Sequence, residues 1–247
     1  MRTRYSLIAA LVAAGVVIAL FVVLSAPDPG AGSPANVAGL TAAEAAAARE
    51  AKDRLAHMPP AAARSGTGKF TARTIASAED QFRRMLAVRG LITQEKERRA
   101  LAQNVLAMPD GADLMRAILL DPALARAAFG SFQAEARFYA TAVLDEMARQ
   151  GNLDFVVDVA SDLGAQLAAS AGEIDRGRAE DLRGLAGVIG KRLGSRGLAD
   201  ARSPVLAKLG FGPGLAKPVH ELYVEGMFYG VWKAESIEQA MVAVKTL

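Results

Sequence analysis

The sequence predicts an all-α chain: one N-terminal membrane helix, a spacer, then an antiparallel helical bundle. Three observations carry that prediction. Residues 7–26 are uncharged and, but for Ser25, apolar, with Arg2 and Arg4 ahead of them. From about residue 74 onward, apolar residues recur at helical spacing, with no convincing period-two alternation. Alanine, the best helix former and small enough for close helix approach, supplies 52 of the 247 residues.

At about 1.5 Å per residue, a helix over 7–26 is about 30 Å long, the thickness of a bilayer hydrocarbon core. A cleaved signal peptide is the competing reading. Its apolar region runs to roughly 15 residues and ends in small residues. Here the run is longer, and Leu24 stands where a small side chain is preferred. An uncleaved signal anchor is therefore expected. No Lys or Arg follows until Arg49. Because positive flanks stay cytoplasmic, residues 1–6 should form a cytoplasmic tail and residues 27–247 should lie outside. That places a single-pass protein in the inner membrane, with its bulk periplasmic if the cell is Gram-negative.

Residues 27–73 read as an Ala/Pro/Gly-rich spacer. Thr41 and Glu44 form a capping box that opens a helix at about 41–57. That helix has little to bury, since Leu55 is its one large apolar residue. Residues 74–247 read as the exported helical domain. Helices are predicted at about 76–89 before Gly90, at 94–107 behind Thr93, and at 111–120 behind Asp110. Asp121-Pro122 sets a cap and an N1 proline for a short helix. A long helix follows at about 131–150, closed by Gly151. Leu153, Val156, Val157, Ala160, Leu163, Gly164 and Leu167 form the next apolar stripe, and Leu182, Leu185, Ala186, Ile189 and Leu193 another. After a glycine-rich loop, helices are predicted at about 218–231 and 235–246. The last presents Ile237, Ala240, Met241 and Val244 as one face.

Three helices share a spacing of arginine, alanine at +3 and an aliphatic at +6. They carry Arg99, Ala102 and Val105; Arg137, Ala140 and Val143; and Arg183, Ala186 and Ile189. Their offsets match the period of helical-hairpin repeats, so a short HEAT-like solenoid is the alternative architecture. In either case each arginine is expected at a helix edge, stem packed and head in water.

Composition excludes several chemistries. Without cysteine there is no disulfide, thiolate metal site or cysteine nucleophile. The two histidines, His57 and His220, are too distant in sequence to suggest a metal cluster, so no metal is expected. Lys and Arg total 29 against 26 Asp and Glu; without Arg2 and Arg4 the balance is 27 against 26. A surplus of one gives no electrostatic case for nucleic acid.

Gly66-Thr67-Gly68-Lys69 resembles part of a phosphate loop, but Ala63 and Phe70 stand where that loop needs Gly and Ser or Thr. The 210–214 segment has Leu215 in place of the third glycine of a dinucleotide fingerprint, and reads as a helix–helix loop. Glu221 and Glu225 lie one turn apart but read as a solvated acidic face. His220 has no serine elbow to serve. No catalytic residue and no cofactor is expected, which weighs against an enzyme.

Phe211, Tyr223, Phe228, Tyr229 and Trp232 gather five of the fourteen aromatics within residues 211–232. Aromatics anchor interfaces as well as cores. Together with His220 they are the candidate partner or ligand surface. The expected function is a membrane-anchored interaction or scaffold module of the envelope that binds a protein. The alternative is a small-ligand carrier or enzyme whose pocket those aromatics line.

Overall fold

The computed structural model describes residues 68–89, 93–170, 174–200, 202–245 and 247. The run at 7–26 and the helix expected at 41–57 lie outside these residues. Among the described residues the chain is all-helical, with helices packed as a bundle and no strand. No helix among them is long and apolar enough to cross a membrane.

Packing reaches back to Phe70, which is buried within the segment read as spacer. The Thr71 hydroxyl accepts from Thr74 N at 3.1 Å and caps α1 (Ala72–Ala87). Helix α2 (Gln94–Leu106) follows, then α3 (Gly111–Leu120). Neither Thr93 nor Asp110 makes the expected side-chain cap. Asp110 instead adopts a left-handed backbone, φ 58°, that turns the chain sharply. A Cβ on Gly111 would sit 2.1 Å from the Val105 carbonyl oxygen, so this turn needs glycine. Asp121 does cap α4 (Pro122–Phe129), accepting from Ala123 N and Leu124 N at 2.9 Å. A 3₁₀ turn (Gly130–Phe132) leads into α5 (Gln133–Arg149), and α6 (Leu153–Ala169) follows.

Helix α7 (Arg176–Ala199) breaks its helical dihedrals at Gly194, φ 67°. The Glu235 carboxylate accepts from Ser195 N at 3.0 Å and clamps the break. Hydrogen bonding from Ser195, its side chain first and then this backbone N–H, lowers the Glu235 pKa below its ordinary value. A short α8 (Pro204–Lys208), absent from the sequence expectation, precedes α9 (Lys217–Ala234) and α10 (Ile237–Val244).

The helices that carry the arginine–alanine–aliphatic spacing are successive neighbours: α2 packs on α5, and α5 on α7. Ala102, Val105, Ala140, Val143, Ala186 and Ile189 are all buried. Two of the three arginines depart from the expectation of heads in water, whereas Arg99 is exposed as expected. Arg137 is largely buried, its Nε 3.2 Å from the Asp181 carboxylate on α7. Arg183 donates to Glu180 at 2.7 Å and to Glu225 of α9, while Arg99 pairs within α2 to Glu95. A side chain at a helix edge meets the next helix when the helices form a row.

The closest pair is α7 with α9. Gly226 and Gly230 face α7, which answers with Ala186, Gly187 and Gly190. A Cβ on Gly190 would lie 2.6 Å from the Met227 carbonyl oxygen, and one on Gly226 2.4 Å from that of Arg183. Backbone rests on backbone along this seam. Tyr223 crosses from α9 to α6, buried, and its hydroxyl donates to the Ala160 carbonyl at 2.8 Å. Gly164 makes the space, since a Cβ there would stand 2.3 Å from that hydroxyl oxygen.

Gly164→Ala is therefore expected to cost roughly 2–3 kcal/mol by overpacking. Tyr223→Phe, which removes the hydroxyl that collides, should cost about 1 kcal/mol. The two costs should not add. A urea-melt double-mutant cycle should show Gly164→Ala costing less in the Tyr223→Phe background. Strict additivity would mean that the two side chains do not meet.

Candidate functional site

Helix α9 buries one stripe, Val219, Leu222, Tyr223, Gly226, Met227, Gly230 and Val231. Of the six candidate residues Tyr223 belongs to this stripe, and the six do not form one surface. Phe211, from the loop before α9, packs on His220 at 5.4 Å and Tyr223 at 5.7 Å between ring centroids. This half faces inward. His220 Nε2 lies 2.9 Å from the main-chain oxygen of Leu247, which ties the chain's last described residue to α9. Phe228, Tyr229 and Trp232 form the other half, each ring within 6.2 Å of the others. They are partly open to solvent, and Trp232 is 37% exposed.

Helix α10 packs against α9 and α7. Ser236 caps it, accepting from Gln239 N at 3.2 Å. The expected packing face is used only in part: α10 buries Ala240 of that face together with Ala243, leaves Val244 half-buried, and turns Ile237, Met241 and Val242 outward. Exposure is 44% at Ile237, 51% at Met241 and 64% at Val242. The small alanine face lets α10 approach α7 and α9 closely, as glycine does for α9. The consequence is a ridge of large apolar side chains with no cover among the described residues.

A second feature has no counterpart in the sequence reading. A groove of about 270 Å³ opens where α1, α2, α5 and α7 meet. Its floor includes Met85, Ala102, Tyr139 and Phe138. Arg98, Arg99, Arg149, Lys191 and Arg192 line it with Glu95, Asp145 and Glu146. Each carboxylate is engaged: Glu95 by Arg99, Asp145 by Lys191 (2.9 Å) and Arg192, Glu146 by Arg149 (2.7 Å). Glu146 is buried and also accepts from Gln103 at 2.7 Å, joining α2 to α5. Its pKa is held down to about 2, first by the Arg149 hydrogen bonds, which overcome burial. Burial raises the Tyr139 pKa to about 12, so the phenol stays neutral. Lys233 lies near Lys191; burial first, then that charge, lowers its pKa.

This groove was not legible because its cations come from three helices. In sequence Arg98-Arg99, Arg149 and Lys191-Arg192 are far apart, and no local spacing joins them. None of the six candidate residues borders it.

The remaining motifs hold no ligand geometry. Lys69 pairs with Asp113 at 3.0 Å, Glu225 pairs with Arg183, and Glu221 lies 3.9 Å from Lys217. Among the described residues no three His, Asp or Glu side chains are grouped to hold a metal ion. No protein family, curated protein or solved structure matches this chain.

Proposed function

We propose that this chain is a membrane-anchored helical interaction module of the cell envelope that holds a protein partner on the outer face of α10. The tether in this reading is the 7–26 run, with the charge asymmetry setting the domain outside the inner membrane. The observation that supports partner binding is the orientation of α10, whose alanines face in while Ile237, Met241 and Val242 face out. Burying such side chains is worth roughly 1.5–3 kcal/mol each.

The partner's chemistry follows from the ridge. Ile237 and Met241 are one helical turn apart, the spacing that seats in the groove of another helix. Methionine adapts to irregular partners. The occupant is therefore an amphipathic helix of another protein. The row of α2, α5 and α7 is consistent with a short solenoid-like stack, an architecture that presents extended binding surfaces. A pocket lined by the six candidate residues has less support, because Phe211, His220 and Tyr223 pack on one another.

The test is a photo-crosslinking residue placed at Met241 of the full-length chain in the cells that make it. Expected is one protease-sensitive adduct of discrete mass that disappears on Ile237→Ser or Val242→Ser and is not seen from position 217. An adduct to lipid, or a protein adduct indifferent to Ile237→Ser, overturns the reading.

A further inference from the structure

The groove between α1, α2, α5 and α7 has an unbalanced charge. Its lining carries five cations, Arg98, Arg99, Arg149, Lys191 and Arg192, against three carboxylates, Glu95, Asp145 and Glu146. Five minus three leaves two positive charges on a groove whose carboxylates are already paired. The Arg192 Nε is buried with no hydrogen-bond partner, although its terminal nitrogen bonds the Asp145 main-chain oxygen at 3.2 Å. A buried N–H donor left unsatisfied is costly, and native structures seldom leave one without a reason. The other half of the surface is apolar. Phe138 is 44% exposed and stands edge-on to Tyr139 at 5.2 Å, with Met85 and Ala102 buried behind.

Size narrows the ligand. Cavities for drug-sized ligands begin at about 300 Å³, while benzene occupies a cavity of about 150 Å³. A groove of about 270 Å³ accommodates one ring and one tetrahedral or carboxylate head.

We propose that this groove binds a small aryl anion of double charge, its ring against Phe138 and its oxygens among Arg192, Lys191 and Arg149. The guanidinium forks suit the planar or tetrahedral oxygens of such a head. The site is separate from the α10 ridge and stands or falls independently of the partner reading.

Phenyl phosphate is the probe. Inorganic phosphate and phenol each supply one half of it. Calorimetric titration of the full-length chain in a neutral detergent should give one site, with phenyl phosphate at least about tenfold tighter than either half. Lys191→Gln and Arg192→Met should each weaken binding about tenfold or more, with added salt weakening it further. Lys217→Gln removes the same charge from a distant exposed site and should change nothing. If Arg192→Met alters the circular dichroism, Lys191→Gln decides, because its side chain is 40% exposed. No binding up to about 10 mM phenyl phosphate overturns the proposal. So does phosphate binding as tightly as phenyl phosphate, or an equal loss with Lys217→Gln.

Discussion

Replacing Gly230 with alanine is expected to lower the thermal midpoint by roughly 6–12 °C, or about 3 kcal/mol for a domain of this size. Two effects oppose each other. In an exposed helix interior, glycine to alanine gains about 1 kcal/mol of helix propensity. Gly230 is inside α9, so propensity alone predicts stabilisation. The seam with α7 reverses the sign. A Cβ at Gly230 would lie 2.1 Å from the Gly187 carbonyl oxygen and 2.7 Å from Lys191 N, both backbone atoms of a packed helix. Neither can swing aside as a side-chain tip can, so α9 must lift from α7. That would also disturb Gly226 and the Arg183–Glu225 pair. Gly214→Ala is the matched control: nothing lies within 4 Å of its Cβ position, and its midpoint should not move appreciably. The measurement is calorimetry of both variants beside the parent. An unchanged or raised midpoint for Gly230→Ala would refute the close seam.

The second large effect concerns pH. Asp181 is buried on α7, and burial raises its pKa from 3.8 to about 7. Arg137 and then Arg178 oppose the rise, Asp175 and Glu180 add to it, and burial wins. The sign follows from proton linkage. The folded state keeps its proton between 3.8 and about 7, where the unfolded chain has lost it. Stability is therefore greatest below this window and falls as pH rises through it. At roughly 1.4 kcal/mol per pH unit, the loss reaches a few kcal/mol by about pH 8. Glu146 does not blur the window: its depressed pKa contributes stability that is complete above its unfolded value and lost only as pH falls toward about 2. Asp181→Asn should flatten the decline measured by urea melts from about pH 5 to 8. The slope is the readout, since the variant also changes the side chain that Arg137 faces. Equal slopes would show that Asp181 is ionised across the window.

How much of this was legible can be argued from particular residues. The apolar stripes of α6 and α7, the cap at Asp121 and the break at Gly151 follow from local rules, and among the described residues every helix but α8 formed near where the sequence placed it. Asp110 and Thr93 were misread because a capping residue type does not specify its own backbone dihedrals: Asp110 is left-handed in the tight turn before Gly111, and Thr93 is already in the right-handed helical region. The face of α10 was misread because hydrophobicity alone favours burying Ile237 and Met241. In a molecule whose closest seam is glycine on backbone, close approach is available only through Ala240 and Ala243, and the larger residues turn outward.

The aromatic cluster shows the same limit. Six residues within a short stretch read as one surface, but α9 is a cylinder. Tyr223 lies in its buried stripe with Phe211 and His220 packed against it, while Phe228, Tyr229 and Trp232 form a separate, partly open group. The arginine groove is the opposite case, in which residues remote in the chain converge because α2, α5 and α7 lie in a row.

The sequence by itself determined the helical class, most helix boundaries and the exclusion of cysteine chemistry, because these depend on composition and on periodicity within one helix. The tertiary structure alone decided which face of each helix is covered, where the surplus charge collects and which glycines cannot be replaced. Those properties depend on distances between segments far apart in the chain, and no single segment encodes them.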